Sequence, residues 1–142
     1  MNHVLDTNVV VAGVRSPGGA SAELLRRVLR RQIVVVASVP LFLEYEAVLT
    51  RPEQLKAAGA SVREVRNLLD VLAGIVVPVA IQFLWRPQLR DAKDDMVLEL
   101  AVNALGLGQP VSLVTFNQRD FLPNASAFGI LVAGPATIVE GA

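Results

Sequence analysis

The sequence predicts an α/β domain built on a mainly parallel sheet, and three observations carry that reading. The chain opens on an apolar run, His3-Val4-Leu5-Asp6-Thr7-Asn8 continuing into Val9-Val10-Val11. In a chain of 142 residues such a run reads as a buried strand, covered on both faces as the strands of parallel sheets are. Short β-branched runs then recur at Ile33–Ala37, Ile75–Val79, Val111–Thr115 and Gly129–Val132, with helical periodicity between them. Strands alternating with helices close into a parallel sheet. Finally, polar residues gather just past the strands, at Asp6-Thr7-Asn8 and again at Asn117-Gln118-Arg119-Asp120. In open parallel sheets the loops diverge at that end and leave a ligand crevice.

The length suits one domain, residues 1–142, large enough for a real core. Apolar residues make up 53% and aromatics only 5%, so the core is built from Val, Leu, Ala and Ile. No apolar run reaches the ~18–20 residues of a membrane span, and the start lacks the pattern of a secretory leader, so a cytoplasmic protein without a membrane partner is expected. With no cysteine, disulfides and thiolate chemistry are excluded. Thirteen basic and thirteen acidic residues give zero net charge, so the chain lacks the basic balance of a bulk nucleic-acid binder. Carboxylates loaded with divalent cations would nevertheless present positive charge that no count of Lys and Arg reveals.

Taken in order, Ser16-Pro17-Gly18-Gly19 is a turn, and a helix follows over residues 20–31 with Leu24, Leu25, Val28 and Leu29 on one face. Arg26, Arg27, Arg30 and Arg31 lie opposite, either a solvated face or a phosphate grip. After the strand at 33–37, Ser38 offers an N-cap and Pro40 suits the first turn of a helix reaching Thr50. Glu44 and Glu46 flank its apolar stripe symmetrically, each about 100° from the centre, so periodicity does not choose between them. A weaker polar segment runs to Gly59, and Ser61 caps a helix through Ala73. The strand at 75–79 ends near Pro78. A connection carrying Trp85, read as a cover for the core, leads to Asp91, Asp94 and Asp95 and a helix over residues 96–105. Asp94 falls on the centre line of that helix's stripe, formed by Val97, Leu98, Ala101, Val102 and Leu105, while Asp95 falls to one side. Asp94 is either an inward-facing carboxylate or a cap favoured by the helix dipole. The chain closes on a turn or short helix at 135–139.

Asp6 itself has two readings. A carboxylate in so apolar a run must hold a cation, accept hydrogen bonds or stay protonated. Alternatively, it caps the turn leaving the strand.

Four acids thus stand where the crevice should be: Asp6, Glu44, Asp94 and Asp120. With Val4-Leu5-Asp6-Thr7-Asn8, Glu44 followed by Val48-Leu49 and Arg51-Pro52, Asp94 followed by Leu98 and Ala101, and Val114-Thr115 with Asn117 and Asp120-Phe121, the chain resembles the PIN-domain family, which includes the toxin nucleases of VapBC-type toxin–antitoxin modules. The resemblance spans nearly the whole chain. It implies a three-layer α/β/α sandwich around a four- to five-stranded, mainly parallel sheet, and a ribonuclease site of Asp6, Glu44, Asp94 and Asp120 binding one or two Mg²⁺ or Mn²⁺ ions. It favours Glu44 over Glu46. It makes Asn8, Thr115, Asn117, Asp91 and Asp95 supporting residues, Asn117 standing where many members carry an aspartate. RNA as substrate, an antitoxin partner and a homodimer are implied as well.

The chemistry is coherent without the family. Phosphodiester hydrolysis needs an activated water and neutralised phosphoryl oxygens, which hard divalent ions held by carboxylates supply. A zinc site would want Cys or several His, and the chain has only His3, read as a strand residue. A phosphatase with an aspartyl nucleophile would want an aspartate at position 8, where Asn8 stands, and a receiver domain would want a lysine late in the sheet, whereas Lys93 precedes a helix. A degenerate binding module is the remaining alternative, against which the retention of all four acids counts.

Overall fold

The computed structural model describes residues 1–82 and 92–141. Asp91 and Trp85 therefore lie outside the described residues. Five strands, β1 (Asn2–Leu5), β2 (Val35–Ala37), β3 (Val77–Pro78), β4 (Val111–Val114) and β5 (Leu131–Ala133), form one sheet in the order β3-β2-β1-β4-β5. Every pairing is parallel. The opening strand is thus the central one, with Val4 paired to Val36 on one side and to Leu113 on the other. Val4, Leu5, Val36, Leu113 and Val114 are at most 2% exposed, as strands covered on both faces must be.

Eight helices flank the sheet among the described residues: α1 (Thr7–Arg15), α2 (Ala20–Leu29), α3 (Val39–Leu49), α4 (Pro52–Ala58), α5 (Val62–Ala73), α6 (Ala92–Ala104), α7 (Gln118–Ala127) and α8 (Pro135–Gly141). The result is the expected three-layer α/β/α sandwich. Local chemistry sets several helix ends. The Ser38 hydroxyl accepts from the Leu41 N–H at the start of α3, and Ser61 and Glu64 form a reciprocal capping box on α5.

Three stretches differ from the sequence reading. Val9-Val10-Val11 belongs to α1, not to the first strand. Burial overrides the β preference of valine here: Val9 and Val10 are at most 1% exposed beneath the helix. Gly13 then lets α2 approach, because a Cβ at that position would overlap the Leu25 side chain. The polar segment before Gly59 is the helix α4, begun by Pro52 in its first turn and ended by Gly59 at φ 65°. The polar residues after β4 start α7, whose Phe121 and Ala125 are fully buried although Pro123 sits inside the helix. Its two buried anchors outweigh a proline that sequence rules place at helix starts.

His3, in β1, shows how the central strand couples to pH. Burial first, and the positive chain terminus second, hold its imidazole below the ordinary 6.5. The fold therefore prefers neutral His3. That contribution is complete above pH 6.5 and is lost as pH falls toward the lower folded value. The urea midpoint of the wild type should fall between pH 7 and pH 5 by more than that of His3→Gln. Equal slopes in the two proteins would refute this assignment.

Candidate functional site

Parallel strands all point the same way, so α1, α3 and α7, which follow β1, β2 and β4, start at the carboxyl end of the sheet, and α6, which runs back before β4, starts there too. This topology carries Asp6, Glu44, Asp94 and Asp120 to one end of the molecule.

Asp6 is the buried member, 7% exposed at the end of β1. Its N–H donates to the Val114 carbonyl at 2.9 Å, which extends the β1–β4 pairing by one bond. Although Asp6 occupies the N-cap position of α1, its side chain makes no capping bond. Instead Oδ2 accepts from the hydroxyl of Thr115 at 2.7 Å. The Thr115 oxygen in turn accepts from the Asn117 N–H at 2.9 Å, so the threonine hydrogen is directed at the carboxylate. Thr115 is fully buried, and its own N–H donates to Ala133 in β5 at 2.9 Å. The first and last polar clusters of the sequence therefore meet in one hydrogen-bonded chain, Asn117 to Thr115 to Asp6.

Tyr45 fastens α3 over the same place. It is 3% exposed and its hydroxyl donates to the Leu5 carbonyl, next to Asp6. Burial, and then the negative charge of Asp6, push the phenol far above its ordinary range, so it remains a donor. Glu44, the preceding residue, keeps only 15% of its side chain exposed, and its Oε1 stands 3.4 Å from the Lys93 ammonium on α6. Glu46 is exposed on the outer side of the helix. The two glutamates that periodicity left equivalent are distinguished by that ion pair and by burial.

On α6 the expected stripe is buried in part: Val97, Leu98 and Ala101 are at most 1% exposed, while Val102 and Leu105 are half-buried. The helix begins at Ala92, four residues earlier than the apolar pattern suggested, so Asp94 and Asp95 lie in its first turn. Asp94 is half-buried. Asp95, expected to one side, is the more buried of the two at 3%, and Glu99, one turn further on the same face, is 2% exposed. Asn103 continues that face. Its Nδ2 donates to the Glu99 carbonyl at 2.8 Å and its Oδ1 accepts from the Gln82 N–H at 2.8 Å. Sequence reasoning passed over Glu99. The signal was present, since a carboxylate inside the run from Met96 to Ala101 poses the same problem as Asp6, four residues after Asp95.

The remaining candidates are more peripheral. Asp120 is exposed in the first turn of α7, its N–H bonded to the Asn117 carbonyl at 3.1 Å. Asn117 is exposed and Asn8 half-buried. Among the described residues, no three His, Cys, Asp or Glu side chains stand close enough to enclose one ion. Of the four arginines on α2, Arg26 and Arg27 pair with Glu23, and Arg27 also donates to the Val139 carbonyl at 2.7 Å. Two of the four thus serve to tie α2 internally and to α8.

Comparison with curated proteins and with solved structures gave no match. A family model for the PIN domain, however, matches residues 2–119, from the first strand to the start of the helix that carries Asp120. The match covers most of the sheet together with the Asp6–Thr115 junction, and the chain belongs to the PIN-domain family.

Proposed function

We propose that this PIN domain is a metal-dependent endoribonuclease, the toxin of a toxin–antitoxin pair. PIN domains are generally nucleases and typically use Mg²⁺ or Mn²⁺, and no helix among the described residues is long and apolar enough to cross a membrane. The observation that carries the reading is Asp6, a carboxylate 7% exposed at the carboxyl end of the central strand and oriented by Thr115 rather than spent on a helix cap. A carboxylate held in one orientation at this end of the sheet is placed to ligate a cation. The donor set at this end of the sheet is all oxygen, which suits a hard divalent ion. Asp6, Glu44, Asp94 and Asp120 are the residues assigned to hold it. Among the described residues no three acids stand close enough to enclose one ion, so an ion held by these side chains would complete its shell with water, as Mg²⁺ commonly does. Bound there, the ion supplies an activated water and neutralises charge on the phosphoryl group.

The side chains have separable roles in this scheme. Thr115 fixes the rotamer of Asp6 and Asn117 fixes Thr115. Tyr45 holds α3, and with it Glu44, against the end of β1. The Lys93 ammonium balances the charge of Glu44. Asn8, Asp91 and Asp95 are supporting residues, and the assembly acts as one domain over residues 1–142, as a homodimer restrained by an antitoxin.

Incubation of purified protein with single-stranded RNA, with Mn²⁺ or Mg²⁺ and with chelator, tests the function. Cleavage only with metal is expected; release of phosphate from monoesters, or absence of any cleavage, would sink it. Within that assay Glu44→Gln should lower the rate about a hundredfold or more, whereas Glu46→Gln should stay within about twofold. A comparable loss in both would move the role away from Glu44.

A further inference from the structure

Two grooves adjoin the candidate site. The first, of about 520 Å³, lies between α1, α3 and α4 and is lined by Asn8, Arg15, Gln54 and Phe116 among others. The second, of about 470 Å³, lies toward α2 and α8. They share Ala12, Ser16 and Phe116, so the two grooves meet at these residues. Phe116 is 53% exposed, an unusual position for a phenyl ring in a chain with so few aromatics. It immediately follows Thr115, the residue bonded to Asp6.

We propose that Phe116 is a base-stacking platform separating two adjacent nucleotide subsites of a single-stranded RNA substrate. The proposal rests on the ribonuclease reading and adds how the strand is held. Each groove falls within the about 300–1,000 Å³ of small-molecule sites, roomy enough for one nucleotide. Single strands are commonly gripped by aromatic side chains on which bases stack, beside basic groups that track the backbone. The first groove supplies the polar partners that a stacked nucleotide needs. Arg15 is exposed at its rim and offers a guanidinium to a phosphate. The Asn8 Oδ1 and Gln54 Oε1 atoms are buried and make no hydrogen bond. Both amides can therefore turn toward a base without giving up an oxygen-mediated contact. Stacking at Phe116 would set the register of the strand, and so decide which phosphate lies against Asp6.

The test uses a short RNA with 2-aminopurine at one position, bound in chelator so that metal-dependent cleavage cannot occur. Stacking quenches 2-aminopurine. Wild-type protein should quench the probe at two neighbouring positions. Phe116→Ala should lose that quenching and bind about tenfold or more weakly, the size expected for a stacked base, while Phe116→Trp restores both. Quenching and affinity unchanged in Phe116→Ala would overturn the proposal, as would failure of the tryptophan to rescue. Cleavage of unmodified RNA by the wild type with Mn²⁺ is scored separately. Cleavage with an indifferent Phe116 refutes the subsites and leaves the nuclease reading standing; neither binding nor cleavage refutes both.

Discussion

Asp6→Asn should abolish metal-dependent RNA cleavage, with a fall of about a thousandfold or more, and leave the fold intact. The two halves of this expectation come from different features of one side chain. Activity is lost because an amide is a poor ligand for a hard cation and cannot balance its charge. Stability is kept because the amide oxygen still accepts from the Thr115 hydroxyl, as the native carboxylate does. Removing a charge from a site only 7% exposed also relieves a desolvation cost. The metal-free melting temperature should therefore match or exceed that of the wild type. Cleavage rates with Mn²⁺, measured beside thermal melts in chelator, decide it. A variant that cuts within about fivefold of the wild type removes Asp6 from the site. A variant that is inactive but melts far lower shows a structural role for the charge.

The strands were legible in the sequence because burial on both faces leaves continuous apolar runs such as Val35-Val36-Ala37 and Val111–Val114, and these need no partner to be recognised. Helix α1 was hidden for the same reason. Val9-Val10-Val11 continues the apolar text of β1, and only the turn at Asp6 and the packing of Gly13 on Leu25 reveal a helix. Helix α7 was hidden because Pro123 reads as a break, while the burial that holds it comes from Phe121 and Ala125 against the rest of the core.

The candidate site divides in a similar way. Asp6 announced itself as a charge in an apolar run. Its tie to Thr115 spans a sequence separation of 109, which no local pattern encodes. Glu44 and Glu46 are equivalent on a helical wheel, and what separates them is Lys93 on another helix. On α6 the wheel found part of the buried stripe and missed that the face to one side of it is also covered. Asp95 and Glu99, at most 3% exposed, are acids that a one-stripe helix would leave in water.

That second buried face makes α6 the place where the metal assignment is most exposed to test. The site as assigned takes Asp94, half-buried in the first turn of the helix, as a ligand. If it is one, the wild type should gain stability from Mn²⁺, about 2.7 kcal/mol when free metal is ~100 times its dissociation constant. Asp94→Asn should gain much less, because its affinity is impaired. Its metal-free melting point should equal or slightly exceed that of the wild type, since the adjoining Asp95 is a like charge when no cation is bound. Asp95→Asn is the internal comparison: the same chemical change, one residue away and about 100° around the helix. It should retain the Mn²⁺ response while changing metal-free stability, as expected for an acid 3% exposed inside the fold. Thermal melts of the three proteins at fixed ionic strength, with and without Mn²⁺, give the answer. Loss of the metal response in Asp95→Asn and its retention in Asp94→Asn would transfer the ligand to Asp95. Retention in both, with Asp94→Asn melting markedly lower in chelator, would make Asp94 a stabiliser of the α6 dipole and leave the ion to Asp6, Glu44 and Asp120.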